Sequence, residues 1–170
     1  AHTHPLGKAF GVIQVMIDEH PFEVATFRKD RTYSDGRHPD GVDAGTAEED
    51  AERRDFTING LFLNPLTLTL TDYVGGEDDL ERKVVRAIGD PAARFAEDRL
   101  RMLRAVRFAS TLDFALDPET EIALTAQADQ LGVVAVERIE HEFRRTLTES
   151  AQAGEALRTL QRTGLLHVFL

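Results

Sequence analysis

The chain has 170 residues, of which 42% are hydrophobic and 29% charged, and its 30 acidic against 20 basic side chains give a formal net charge of −10. These values are typical of a globular chain, and they exclude a disordered tail and a wholly basic nucleic-acid coat. The chain contains no Cys, which excludes disulfides, and its longest apolar run is far shorter than the roughly 20 residues of a membrane helix. We therefore expect no membrane span and a cytoplasmic location.

The first part of the chain predicts strands. Residues 10–17 and 22–27 are β-rich runs separated by a polar turn at 18–21, so they predict an antiparallel hairpin. Residues 33–45 are rich in Gly and Asp and lack a hydrophobic period, which predicts a mobile surface loop.

A helix and a further strand are predicted next. Thr46 has the position of an N-cap and Glu49 follows at the capping-box spacing, so we expect a helix over residues 47–62. The alternation of Leu and Thr over residues 66–71 predicts a half-buried strand.

From residue 91 onward the pattern is helical. Apolar residues with a period near 3.6 predict one helix that contains five arginines, at positions 94, 99, 101, 104 and 107. Residues 118–130, 136–149 and 152–163 predict three more helices. Strands followed by helices indicate an α+β fold with a first domain at residues 1–90 and an all-helical domain at 91–170.

One polar cluster lies at residues 53–59. It contains Arg53, Arg54, Asp55 and Asn59, and arginines bind phosphate while a carboxylate with an amide can hold ribose hydroxyls. A solvated helix flank with local ion pairs explains the same spacing, and spacing alone does not decide between the two.

A second cluster lies at residues 97–104, where Asp98 and Arg101 are three residues apart. A carboxylate beside a guanidinium presents an acceptor and a donor, which complement the amine and ring nitrogen of cytosine and adenine but not the carbonyl edge of uracil or guanine. The alternative is a helix-stabilising ion pair worth about 0.3–0.5 kcal/mol.

Glu23 is an isolated acid in a predicted strand, which suggests either a Mg²⁺ ligand or an exposed position on an edge strand. Two-metal phosphoryl or nucleotidyl transfer needs several convergent carboxylates. The sequence contains no Asp-x-Asp pair that would supply two of them.

In this order, the stretches resemble the class II tRNA nucleotidyltransferase and bacterial poly(A) polymerase family. Residues 6–11 resemble the strand after the family's first motif, and residues 22–28 are similar to the strand that supplies its third metal-binding carboxylate, here Glu23. Residues 33–39 resemble the flexible loop that helps specificity change from C to A addition. The loop residues carried over are Asp35, Gly36 and Arg37.

The motifs later in the chain also resemble motifs of this family. Residues 53–59 resemble the ribose- and phosphate-binding motif, residues 97–104 the amino-acid template for base selection, and residues 136–139 the motif that steadies the template. The nucleotide-binding residues implied are Arg54, Asp55, Asn59, Asp98, Arg101 and Arg104. The residues implied for the hinge between head and neck are Asp72, Gly75, Gly76 and Asp79.

The resemblance implies a partial nucleotidyltransferase head with an antiparallel or mixed sheet, followed by a helical neck. It also implies addition of C and A, from CTP and ATP, to tRNA 3′ ends by attack of the RNA 3′ hydroxyl on the α-phosphate, with two Mg²⁺ ions. Arg54 would orient the phosphates, Asp55 and Asn59 the ribose, and Asp98 with Arg101 the base.

The family's first motif, which carries the Asp-x-Asp pair, is expected before His4, and the body and tail that hold tRNA are expected after the neck. We therefore expect a head-and-neck piece that binds CTP or ATP weakly and is inactive alone. CCA addition is favoured over poly(A) synthesis because residues 7–15 lack the basic pair and His of the polymerase branch. An A-adding enzyme and a non-catalytic nucleotide- or RNA-binding remnant stay open.

Overall fold

A computed structural model of the chain describes residues 2–7, 12–31, 41–150 and 152–170. The strands β1 (His2–Gly7), β2 (Val12–Ile17) and β3 (His20–Ala25) form an antiparallel sheet in that order. The predicted hairpin is confirmed, but its turn is only Asp18-Glu19, with φ values of 47° and 67°. Two successive left-handed residues match the twist of the flanking strands, so His20 already belongs to β3.

The prediction of a loop over residues 33–45 is partly wrong. Strand β4 (Arg28–Asp30) pairs antiparallel with β5 (Val42–Ala44), so three of the residues assigned to a loop extend a ladder instead. The three residues of the predicted specificity loop, Asp35, Gly36 and Arg37, lie outside the described residues.

Helix α1 (Ala47–Glu52) begins where it was predicted to begin. The prediction that it continues to residue 62 is wrong, because the helix ends at Glu52. The capping box is confirmed, since Glu49 N donates to Thr46 Oγ1 at 3.2 Å and Thr46 N to Glu49 Oε2 at 3.0 Å. The helix cannot continue because Phe56 is fully buried and forms a β-bridge with Ala87. A short 3-10 turn at Thr57–Asn59 follows.

Strands β6 (Leu61–Asn64) and β7 (Thr69–Asp72) form a second hairpin. The strand predicted over residues 66–71 is therefore wrong in its first half, where Leu66 and Leu68 are 93% and 75% exposed. The cause is local: Asn64 Oδ1 accepts from Leu66 N at 3.0 Å and starts a turn. Helix α2 (Gly76–Arg82) and strand β8 (Val84–Val85) complete this part of the chain.

The single helix predicted from residue 91 is divided into α3 (Pro91–Glu97) and α4 (Arg101–Leu112). Asp98 is extended, with φ −145° and ψ 107°, and its Oδ1 accepts from Leu100 N at 3.1 Å. An aspartate side chain that bonds the backbone two residues on competes with the helix, which explains the break. Asp98 and Arg101 consequently do not share one helix.

The remaining elements are β9 (Ala115–Leu116), parallel to β8, and helices α5 (Pro118–Ala126), α6 (Val136–Glu149), α7 (Ala153–Arg162) and α8 (Leu166–Phe169). The predictions of α6 and α7 are confirmed, whereas α5 ends before a 3-10 segment at Ala128–Val133. Helix α4 packs against α6 and α7.

The predicted α+β class is confirmed. One buried cluster joins residues on both sides of position 90, including Phe56 and Val85 before it and Phe95, Met102 and Leu160 after it. The division into two domains at residue 90 stays a prediction. No helix among the described residues combines the length and the apolar character that crossing a bilayer requires.

Candidate functional site

A cleft of about 580 Å³ opens between the turn after α1, the start of α4 and the first turn of α6. This volume lies in the range of small-molecule sites. The cleft is lined by Arg53, Arg54, Asp55, Asn59, Asp98, Leu100, Arg101, Arg104, Phe108 and Arg138. The structure thus brings together the six residues predicted to bind a nucleotide, although they come from two distant stretches of the chain.

Asp50 on α1 fixes the two arginines at the head side of the cleft. Its buried carboxylate lies 2.6 Å from Arg53 Nη2 and 3.0 Å from Arg54 Nη2. Burial alone would raise the pKa of Asp50, but the hydrogen bonds from Arg53 and Arg54 outweigh it and hold the pKa below its ordinary value. Arg54 also donates to Asn59 O at 2.9 Å and lies over the Phe62 ring.

Asp55 lies at the floor of the cleft, where it is 8% exposed. Its Oδ1 accepts from Phe56 N at 2.9 Å and from Asn59 Nδ2 at 3.0 Å, and its Oδ2 accepts from Arg104 Nε at 2.8 Å. Burial raises the pKa of Asp55, but the charge of Arg104 and these hydrogen bonds lower it by more, so the carboxylate is held ionised.

Asp98 and Arg101 line the neck side of the cleft, and each is held by partners of its own. Arg138 on α6 donates through Nη2 to Asp98 Oδ2 at 2.9 Å. Arg101 Nη1 donates to Glu97 Oε2 at 2.6 Å, while its Nη2 donates to Arg53 O at 3.2 Å. The ion pair within one helix that was considered as an alternative is not formed: Arg101 at the start of α4 pairs with Glu97 at the end of α3, across the break between the two helices.

The cleft is basic although the chain is acidic. Five arginines and two aspartates line it, in a chain whose net charge is −10. Arginines bind phosphate oxygens through two parallel N–H bonds, and a local patch rather than net charge decides which ligand is attracted. The cleft therefore suits a ligand that carries phosphates and a hydrogen-bonding ring.

The predicted hinge residues lie behind the cleft and support it. Asp72 Oδ1 accepts from Gly75 N at 2.9 Å, and Asp79 Oδ2 accepts from Thr57 Oγ1 at 2.7 Å. A Cβ on Gly76 would lie 2.2 Å from Thr57 O. These contacts pack the start of α2 directly under the 3-10 turn that carries Asn59.

Glu23 lies on β3, whose residues are all exposed, opposite Gln14 on β2. The described part of the chain contains no group of three or more His, Asp or Glu side chains that could hold a metal ion. One exposed carboxylate does not form a two-metal site, so the residues described here do not fit two Mg²⁺ ions. The assignment of Glu23 as a metal ligand stays a prediction.

Sequence reasoning missed several supporting residues. Asp50 could have been found, because it stands three and four residues before Arg53 and Arg54, the spacing of helical ion pairs. Phe108 has the same kind of signal, because it stands four residues after Arg104, whose guanidinium lies 5.3 Å from the centre of its ring. Glu142 gave no such signal, since its contact with Arg107 depends on how α4 packs against α6.

Comparison with known families agrees with this geometry. The model described as "Poly A polymerase head domain" matches residues 1–86, and the one described as "Probable RNA and SrmB- binding site of polymerase A" matches residues 113–170. The chain belongs to the family of class II CCA-adding enzymes and poly(A) polymerases, as its motifs indicate.

Among individual proteins, the chain is similar to two curated relatives named CCA-adding enzyme. The relative from Bacillus subtilis (strain 168) is 44% identical over 164 residues, which cover 96% of this chain and 41% of the relative. The one from Levilactobacillus brevis is 43% identical with the same two coverages. The chain therefore spans about two fifths of the length of these relatives.

Solved structures show the same fold. The CCA-adding enzyme of Bacillus stearothermophilus in complex with CTP superposes with a TM-score of 0.87 at 37% identity, over 97% of this chain and 39% of that one. A tRNA nucleotidyltransferase complexed with a primer tRNA and an incoming ATP analog gives a TM-score of 0.75 at 30% identity, over 99% and 47%.

Proposed function

We propose that this chain forms the nucleotide-selecting head and neck of an enzyme that adds CCA to tRNA 3′ ends, using CTP and ATP without a nucleic-acid template. The observation that carries the proposal is the position of Asp98 and Arg101 beside Arg53 and Arg54 in one cleft. Solved relatives of this fold were obtained with CTP and with a primer tRNA and an ATP analog, which supports the same ligands here. A tRNA-processing role also agrees with the expected cytoplasmic location.

Within the cleft, each part of a nucleoside triphosphate has a complementary group. Arg54 keeps N–H groups for phosphate oxygens after its bonds to Asp50 and Asn59. The corner formed by Asp55 and Asn59 suits the ribose, and the neck side suits the base. Positioning of the α-phosphate lets the RNA 3′ hydroxyl attack it, which breaks the bond to the leaving pyrophosphate.

Base choice follows from hydrogen-bond complementarity. The Asp98 carboxylate can accept from the exocyclic amine of cytosine or adenine, and an Arg101 N–H can donate to the adjacent ring nitrogen. Uracil and guanine place a carbonyl opposite the carboxylate, so two acceptors would meet. A buried unpaired acceptor costs about 1–3 kcal/mol, which is enough to select C and A.

Nucleotide binding to the 170-residue chain tests this proposal. We expect titration with CTP or ATP, followed by nuclear magnetic resonance, to shift signals of residues 53–59 and 98–104, and UTP and GTP to bind more weakly. Equal binding of all four nucleotides, or no binding, would contradict base selection in this cleft. Binding of ATP alone would favour the alternatives of the same family, an A-adding enzyme or a poly(A) polymerase.

A further inference from the structure

The guanidinium of Arg101 has five N–H groups, and protein acceptors occupy three of them. Its Nη1 donates to Glu97 Oε2 at 2.6 Å and to Arg94 O at 3.1 Å, and its Nη2 donates to Arg53 O at 3.2 Å. Among the described residues nothing accepts from the other two, one on Nη2 and one on Nε. Arg101 lines the cleft, so these two N–H groups are the ones available to a base.

The guanidinium of Arg94 holds the same carboxylate. Its Nη1 donates to Glu97 Oε2 at 3.0 Å, and its Nε donates to Ile88 O at 3.1 Å. The side chains of Arg94 and Arg101 are only 15% and 12% exposed. The Glu97 oxygen therefore lies between two largely buried guanidinium groups. Loss of Arg94 would leave Glu97 free to rotate and would release Arg101 from its fixed position.

Ile88 connects Arg94 to the turn after α1. The N–H of Ile88 donates to Asp55 O at 3.1 Å, while its carbonyl accepts from Arg94. Gly89 has a φ of 70°, a left-handed conformation that favours glycine, and it turns the chain from Ile88 toward the start of α3. A chain of hydrogen bonds thus runs from the backbone of Asp55 to the guanidinium of Arg101, and Arg94 lies in its middle.

We propose that Arg94 is a positioning residue for base selection. By fixing Glu97, it keeps the free N–H groups of Arg101 where they can meet the ring nitrogen of cytosine or adenine. This inference rests on the proposed function of the cleft. Arg94 does not line the cleft, so it acts on the choice of base and not on the binding of the phosphates. The alternative is an ordinary ion pair at spacing i, i+3, which would stabilise α3 alone.

Arg94→Lys tests this role. Lysine keeps the positive charge, but its single ammonium group lacks the fork that lets Arg94 bond Ile88 O and Glu97 at the same time. Arg162→Lys is the matched control. The guanidinium of Arg162 also pairs with a glutamate, since its Nε donates to Glu121 Oε1 at 2.9 Å, but it lies on α7 and outside the cleft lining.

The measurement is the dissociation constant of each 170-residue variant for CTP and UTP, by magnetic resonance titration. Arg94→Lys should weaken CTP binding by about 3- to 10-fold, the value of one hydrogen bond, and leave UTP binding nearly unchanged. The preference for CTP then falls by the same factor. Arg162→Lys should change neither constant. When it is added to Arg101→Ala, Arg94→Lys should weaken CTP binding no further, because the group that Arg94 positions is already absent.

Three results would overturn the inference. Equal weakening of CTP and UTP in Arg94→Lys would indicate a direct contact with the phosphates. An unchanged preference, with or without a lower thermal unfolding midpoint, would indicate an ion pair that only stabilises the fold. A further loss of CTP affinity when Arg94→Lys is added to Arg101→Ala would show that Arg94 acts by another route.

If Arg94→Lys does not fold, Glu97→Gln takes its place, because a neutral amide holds Arg101 less firmly than a carboxylate does. A lower preference for CTP is again expected, and an unchanged one would overturn the inference. An unsubstituted chain that binds no nucleotide, or binds CTP and UTP equally, defeats the proposed function. A preference that Arg94→Lys leaves intact defeats only the role of Arg94.

Discussion

At Gly76, a close backbone contact decides which amino acid the position can hold. Gly76 begins α2 directly beneath the 3-10 turn that carries Asn59, and a Cβ there would lie 2.2 Å from Thr57 O. Backbone atoms cannot rotate away as a flexible side chain can, so the turn or the helix would have to move. The requirement for glycine at this position is therefore steric.

We expect Gly76→Ala to lower the free energy of unfolding by about 1–3 kcal/mol, the usual range for overpacking a tight site. Urea unfolding followed by circular dichroism measures it. Gly154→Ala is the matched control, since no atom lies within 4 Å of a Cβ at that helical position, and we expect it to be neutral or stabilising. An unchanged unfolding midpoint for Gly76→Ala would show that the turn can move aside for the added Cβ without loss of stability.

At the scale of elements, helix α1 matters because it places Asp50 under the two arginines of the cleft. The helix has only six residues, so its stability depends strongly on its ends. Thr46 supplies the N-cap and half of the capping box.

Removal of that cap should be measurable. We expect Thr46→Ala to cost about 1 kcal/mol of stability, the typical value for an N-cap, and to speed amide hydrogen exchange in residues 49–54. Thr148→Ala, at an exposed position on α6, should change stability by less than about 0.5 kcal/mol. Equal effects of the two substitutions would show that the capping box contributes nothing.

Elements with a long amphipathic period were predictable, whereas elements decided by tertiary contacts were not. Helix α6 was predicted with its observed bounds because its apolar residues repeat over 14 residues. The end of α1 was missed because it depends on the β-bridge between Phe56 and Ala87, 31 residues further along the chain. The break at Asp98 has a local cause, since its side chain bonds Leu100 N, yet the helical period continues through it.

The six residues predicted to bind a nucleotide could be named from the chemistry of their side chains and from family resemblance, and all six line the cleft. The residues that support the cleft were harder to predict. The contact between Arg107 and Glu142 spans 35 positions, and no spacing in the sequence indicates it. The hydrogen bond from Arg104 to Asp55 likewise depends on how the turn after α1 meets α4.

For the whole molecule, buried and hydrogen-bonded carboxylates set the response to acid. The pKa values of Asp50, Asp55 and Asp72 are lowered in the folded chain: burial opposes this in each case, but arginine charges or hydrogen bonds outweigh it. The unfolded chain binds protons at higher pH, near 3.9 for Asp. These groups therefore stabilise the fold above about pH 4, and their contribution is lost as the pH falls through their folded pKa values.

We expect the urea midpoint to be constant between about pH 6 and 7 and to drop steeply below about pH 4. Asp72→Asn should make that drop shallower, because Asp72 then no longer takes up a proton on unfolding. Asp78→Asn, at an exposed position, should leave the slope as it is. A midpoint that rises on acidification would contradict the sign of all three pKa shifts.

Also at this scale, residues from both parts of the chain line one cleft, and base selection by Asp98 and Arg101 is the proposal on which the function depends. The most direct test is the ratio of CTP to UTP affinity of the 170-residue chain carrying Arg101→Ala, with Arg158→Ala on the exposed face of α7 as control. We expect the preference for CTP to disappear in Arg101→Ala and to persist in the control. A preference that stays unchanged in Arg101→Ala would contradict the account.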